Sequence, residues 1–94
     1  MNVKLMINED GTTDDTPPSG FTSWKEYWEV KKGIPFPNKC CVVTCGNKAE
    51  VGAHVIGFYY NEQDYIVPMC HKHNNPNNED VMLMDEKYLV EIED

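Results

Sequence analysis

The chain has 94 residues, a net charge of −8 and a pI near 4.7, and all eight of its basic residues are lysine. That length supports one small domain, whose apolar surface stays largely wet unless a cross-link or metal assists it. An acidic chain without arginine lacks the basic footprint of a general nucleic-acid binder, and no apolar run approaches the ~20 residues of a membrane span.

Val3, Leu5 and Ile7 alternate with Lys4 and Met6, which predicts a short edge strand. Residues 8–20 are acidic and broken by Pro17, Pro18 and Gly20, which marks 1–20 as an acidic, partly flexible segment and 21–94 as the single domain proper. The first residues lack the long apolar core of a secretory leader, so a cytoplasmic, thiol-reducing setting is expected.

Ser23 followed by Glu26 has the spacing of a capping box. Trp24, Tyr27 and Trp28 recur at helical spacing, and Lys31, Lys32 and Gly33 form a C-terminal stop reinforced by Pro35 and Pro37. A helix over 23–32 with an aromatic, core-facing side follows.

Residues 51–60 are β-branched, aromatic or small, and 65–67 return after a polar turn at 61–64, which predicts a β-hairpin. The asparagine-rich stretch 74–78 contains Pro76 and breaks any helix. Val81–Met84 and Tyr88–Ile92, separated by Asp85 and Glu86, read as a second hairpin. The expected architecture is a small α+β domain with one N-terminal helix and two β-hairpins.

The acidity is uneven. Residues 1–20 hold four carboxylates and one lysine, and 81–94 hold five carboxylates and one lysine, whereas 21–40 hold four lysines and two carboxylates. Lys25, Lys31, Lys32, Lys39 and Lys48 therefore form a weakly basic middle.

All four cysteines and two of the three histidines fall in two short windows, Cys40–Cys45 and Cys70–His73. Zinc takes four sulfur or nitrogen ligands in a tetrahedron, commonly delivered as two close pairs on two loops. In a reducing compartment that pattern points to structural zinc rather than disulfides. The expected ligands are Cys40, Cys45, Cys70 and His73, with Cys41 as the alternative to Cys40. A disulfide between neighbours Cys40 and Cys41 is strained. If Cys40 binds, Cys41 faces the core as a small apolar residue. His54, between the two windows, is open to three readings: a packed histidine, a ligand, or a general base.

The run Cys41–Cys45, then Gly52-Ala53-His54-Val55, then Pro68-Met69-Cys70-His71-Lys72-His73-Asn74 resembles HNH-type treble-clef zinc domains. The resemblance covers residues 40–75. It implies a zinc knuckle or ribbon-like arrangement in which Cys40 or Cys41 pairs with Cys45, and Cys70 pairs with His73 where the family usually has cysteine. It would put His54 at the catalytic base of a metal-dependent nuclease. The chain departs from that family at the active site: Ala53 replaces the acidic residue before the base, Asn74 replaces the histidine after the last ligand, and a short hairpin replaces the long loop. Pro76 opposes the helix that would carry a catalytic magnesium ligand, and His71 is the remaining histidine.

Three functions follow as expectations. The first is a non-enzymatic, zinc-stabilised module that meets a protein partner with a basic surface through its own acidic surfaces. Small phage and mobile-element inhibitors of host nucleic-acid-binding proteins have similar composition. The second is an HNH-type nuclease using His54. The third is a small zinc-finger nucleic-acid binder using the lysines of the middle segment.

Overall fold

A computed structural model describes residues 2–9, 16–59, 63–75 and 77–92. Its elements are β1 (Val3–Asn8), α1 (Trp24–Lys32), β2 (Val51–Gly57), β3 (Asp64–Met69), β4 (Met82–Asp85), a 3-10 turn (Glu86–Tyr88) and β5 (Val90–Glu91). The strands form one antiparallel sheet in the order β4-β1-β2-β3-β5. The chain is thus a small α+β protein, and among the described residues it has one α-helix and no helix long and apolar enough to cross a membrane.

The helix forms where its caps dictate. Ser23 Oγ accepts from Glu26 N–H at 3.0 Å, and Gly33 closes the other end at φ +77°, a left-handed conformation suited to glycine. Glu26 reaches back one residue further than a simple capping box requires, to the Thr22 N–H at 3.2 Å and hydroxyl at 3.0 Å. Tyr27 and Trp28 are buried, and Trp28 donates its indole N–H to the Tyr88 carbonyl at 2.9 Å.

The sheet separates two cores. Strand alternation puts Met6, Ala53, Val55, Val67, Met69, Met82 and Met84 on one face, packed with Cys40, Cys41, Val42 and Cys70. The other face carries Ile66 and Val90 under Tyr27 and Trp28 of α1. Gly52 lies beneath the start of α1, where an added Cβ would stand 2.9 Å from the Trp24 carbonyl carbon and 3.0 Å from the Lys25 nitrogen. Only glycine lets the helix backbone come this close.

The hairpin expected over 51–67 is present as β2 and β3, paired from Val51↔Met69 to Ile56↔Asp64. Part of its turn, residues 61–62, lies outside the described residues, as do residues 10–15 of the acidic N-terminal segment.

Two expectations are corrected. β1 is an interior strand rather than an edge, paired with β4 through Val3–Met6 and with β2 through Met6–Asn8. The second hairpin does not form. β4 adds to β1 at one edge and β5 adds to β3 at the other. The physical reason is that the two segments serve different cores. Met82 and Met84 pack on the cysteine side and Val90 packs under the helix. The turn between them is fixed by Asp85, which accepts from Lys87 N–H at 3.1 Å, and by the Trp28–Tyr88 bond.

Five residue steps from Asp85 to Val90 span at most about 18 Å, while five flat strands are about 19 Å wide even without stagger. The sheet must therefore curl. Residues 41–43 link the β4 edge to the end of β3 that lies beyond its pairing with β5: Cys41 N–H bonds to the Pro68 carbonyl of β3 at 2.8 Å, and Val43 N–H bonds to the Leu83 carbonyl of β4 at 2.9 Å. Val42 bridges to Met84 between them.

Candidate metal centre

The segment between α1 and β2 forms a knuckle. Lys39 and Lys48 pair at its base, Cys40 N–H bonds to the Asn47 carbonyl at 3.0 Å, and Cys45 N–H turns back to the Val42 carbonyl at 2.9 Å. This presents Cys40 and Cys45 from one loop. The second pair comes from the end of β3, where the chain makes one helical turn closed by Asn74 N–H on the Cys70 carbonyl at 2.9 Å. That turn brings His73 around to the side of Cys70.

The result is a cluster of Cys40, Cys45, Cys70 and His73 whose ligand atoms all lie within 4.8 Å of one another. Cys45 Sγ and Cys70 Sγ are 3.8 Å apart, Cys40 Sγ and His73 Nδ1 are 3.8 Å apart, and Cys70 Sγ and His73 Nδ1 are 3.2 Å apart. A tetrahedral zinc with bonds of about 2.3 Å to sulfur separates its sulfurs by about 3.8 Å. The donor set and the spacing both fit a metal ion, and the four groups are those expected from the sequence.

Cys41 is buried in the core cluster beside Cys40. The Cys41 side chain, with the N–H groups of Val42 and Cys70, holds the Cys40 thiol down to about 4, against the opposing effect of burial. The neighbouring Cys40 sulfur, followed by burial, pushes the Cys41 thiol up. Cys45 is also raised, first by burial and then by the neighbouring Cys70 and Cys40 sulfurs, with Asn47 N–H acting the other way. Sulfurs crowded this closely resist ionising together, and a divalent cation among them reverses that cost.

Three asparagines support the cluster. Asn47 donates its N–H to Cys45 Sγ at 3.4 Å and its side-chain amide to Cys70 Sγ at 3.9 Å. Asn78 and Asn8 both donate to the His73 carbonyl, at 2.8 and 2.6 Å. Asn47 had a local signal, two residues after a cysteine and next to glycine. Asn8 had none, because it is 65 residues away from His73 and reaches it through the pairing of β1.

His54 stands apart from this cluster. Its neighbours Ala53 and Val55 face the cysteine core, so His54 faces the helix, where its ring meets Trp24 edge-on at 4.5 Å between centroids and it is 8 % exposed. His71 also lies outside the cluster, with Nε2 3.5 Å from the Glu50 carboxylate and its side chain mostly in solvent. Four of the five lysines of the middle segment divide between two places. Lys25 and Lys31 lie over the rings of Phe36 and Tyr27, whereas Lys39 and Lys48 face each other at the knuckle base.

Comparison of the chain with family models, with characterised proteins and with solved structures finds no match.

Proposed function

We propose that the chain is a zinc-stabilised, non-enzymatic binding module that engages a protein partner with a basic surface. The observation that carries the metal half is the convergence of Cys40, Cys45, Cys70 and His73 within 4.8 Å. Three sulfurs and one imidazole nitrogen are the donor set that zinc favours over magnesium or calcium, which prefer oxygen. With four protein ligands the site is closed, as in structural zinc sites, and leaves no open position for a reacting water. The order of knuckle, hairpin and Cys-x-x-His turn supports a treble-clef arrangement whose usual final helix is reduced to one turn.

The partner half of the reading rests on charge and on His54. A chain of net charge −8 without arginine complements a basic surface and repels a polyanion. His54 packs against Trp24 on the sheet face opposite the sulfurs, which supports a packing role over that of a base acting beside the metal.

Elemental analysis of protein purified without chelator is expected to find one zinc per chain, and a metal content near zero would refute the metal half. Capture experiments at low and high salt are expected to recover a basic protein whose binding fades with salt. Recovery of nucleic acid instead, or nicking of plasmid that His54→Ala abolishes while zinc is retained, would refute the partner half.

A further inference from the structure

The sheet is covered unevenly. On its helix-side face, α1 packs over β2, β3 and β5 through Trp24, Tyr27 and Trp28. The same face of β1 and β4 carries apolar side chains that meet solvent. Pairing aligns them across four neighbouring chain segments. Leu5 is opposite Leu83, the Phe58 N–H bonds to the Leu5 carbonyl, and the Val43 N–H bonds to the Leu83 carbonyl. Each has inward-facing neighbours: Met6, Met82, Met84, Val42 and Gly57 lie on the opposite side of the pleat, all but Gly57 buried. Phe58, Leu5, Leu83 and Val43 thus form one cross-strand row, each 37–45 % exposed. Ile7, two residues beyond Leu5, lies on the same face of β1.

An apolar row of this kind on a small acidic protein marks a contact surface. Its rim decides the occupant. The stretches around β1 and β4, residues 2–9 and 79–87, hold five carboxylates, Glu9, Glu79, Asp80, Asp85 and Glu86, and two lysines, Lys4 and Lys87. Lys87 is turned toward Asp85 at 3.8 Å and the Tyr88 ring at 5.1 Å. A second copy of the chain would bring two acidic rims and two net charges of −8 together, which opposes self-association. Four segments at strand spacing give a row about 14 Å long, the length of roughly nine helical residues.

We propose that the outer face of β1 and β4, centred on Leu5 and Leu83, docks a basic amphipathic helix of a partner protein. The helix would lay its apolar stripe on Phe58, Leu5, Leu83 and Val43 while its lysines or arginines meet the acidic rim. The proposal rests on the protein-partner reading above and assigns that reading a surface.

The test is an amide-resolved NMR titration of the zinc-loaded, full chain with three synthetic peptides of about eighteen residues. One is an amphipathic leucine–lysine helix, one its leucine–glutamate counterpart, and one a glycine–lysine peptide of equal charge. The leucine–lysine peptide is expected to shift the amides of Leu5, Phe58, Leu83 and Val43, and to weaken at about 0.5 M salt. The leucine–glutamate peptide is expected to leave them unmoved, and the glycine–lysine peptide to bind at least about tenfold more weakly. Leu5→Ser with Leu83→Ser, at exposed positions, is expected to cost about tenfold or more in affinity with zinc content and far-UV spectrum unchanged.

Shifts on another face, or binding that persists in the double variant, would overturn this surface and leave the basic-partner reading standing. Failure of every basic peptide to bind the zinc-loaded protein would overturn both. A doubled mass in light scattering that the double variant abolishes would assign the face to a second copy, and single-stranded nucleic acid shifting the same amides would assign it to a polyanion. Either result refutes the proposal.

Discussion

Stripping the metal is expected to unfold or severely destabilise this protein, and the scale of the effect follows from what the knuckle holds. Residues 41–43 are the segment that joins the outer edge of β4 to the far half of β3. Without a cation, three clustered sulfurs must either stay protonated or repel, so the knuckle loses the tether that fixes it. If it lifts away, the bonds from Cys41 N–H to Pro68 and from Val43 N–H to Leu83 are lost. At about 1 kcal/mol each, they account for about 2 kcal/mol. Exposing the buried Val42 side chain adds about 2 kcal/mol more. The resulting loss of about 4 kcal/mol compares with a total stability of 5–15 kcal/mol for ordinary domains, and about 4–8 °C per kcal/mol at this size gives a fall of roughly 15–30 °C in Tm. The assay is thermal unfolding followed by far-UV circular dichroism and tryptophan emission, with and without a strong chelator, with zinc measured in the same samples. Trp28 is fully buried, so its emission reports loss of the helix-side core as well. Metal-free protein with an unchanged Tm and blue-shifted emission would refute the reasoning, because the knuckle would then be held by packing alone.

Gly52→Ala is expected to destabilise by about 2 kcal/mol or more, because the new Cβ meets helix backbone at 2.9 Å rather than a side chain that can swing aside; denaturant midpoints measure it. His54→Ala removes a ring packed on Trp24 and is expected to lower stability by about 1–2 kcal/mol while leaving one zinc per chain; loss of zinc in this variant would contradict the assignment of His54 to the helix side. Zinc affinity is expected to fall as pH is lowered, since the thiols bind metal only after losing their protons, and stability should fall with it. A competition titration with a colorimetric chelator between pH 8 and about pH 5 reads this, and affinity that does not change would exclude thiolate ligation.

Local chemistry made the helix and the cysteine–histidine cluster legible. Ser23, Glu26 and Gly33 act within a few residues of their own position, and the structure uses all three as caps. Cys40, Cys45, Cys70 and His73 stand out because few other roles suit clustered thiols and imidazoles, and Cys40 is preferred to Cys41 because its four-residue gap to Cys45 leaves room for a turn and sends Cys41 toward the core. What failed was strand pairing. Val81–Met84 and Tyr88–Ile92 look like hairpin partners because they are adjacent and both carry strand-forming residues. Their real partners, β1 and β3, are chosen by which core each segment's buried residues complete. β1 looked like an edge strand for a related reason: nothing near Lys4 or Leu5 encodes β4, which lies about eighty residues along the chain. The support of His73 by Asn8 was hidden in the same way.

The metal and the docking face meet in two adjacent residues. Val42 points inward against Met84 and is buried, whereas Val43 points outward into the exposed row beside Leu83. Both stand between Cys40 and Cys45, so the loop that a bound metal would fix also supplies one end of the apolar row. A knuckle that lifts from β4 removes Val43 from that row and frees the edge of β4. The row would then keep Phe58, Leu5 and Leu83 but lose one of its four side chains. Affinity for the leucine–lysine peptide should therefore depend on zinc even under conditions where the rest of the sheet stays folded. Replacing Val43 with serine separates the two contributions: it leaves all four ligands in place, and it is expected to weaken the peptide about threefold to tenfold with one zinc per chain retained. Unaltered peptide affinity in that variant would remove the knuckle from the docking face and leave the metal with a role in folding only.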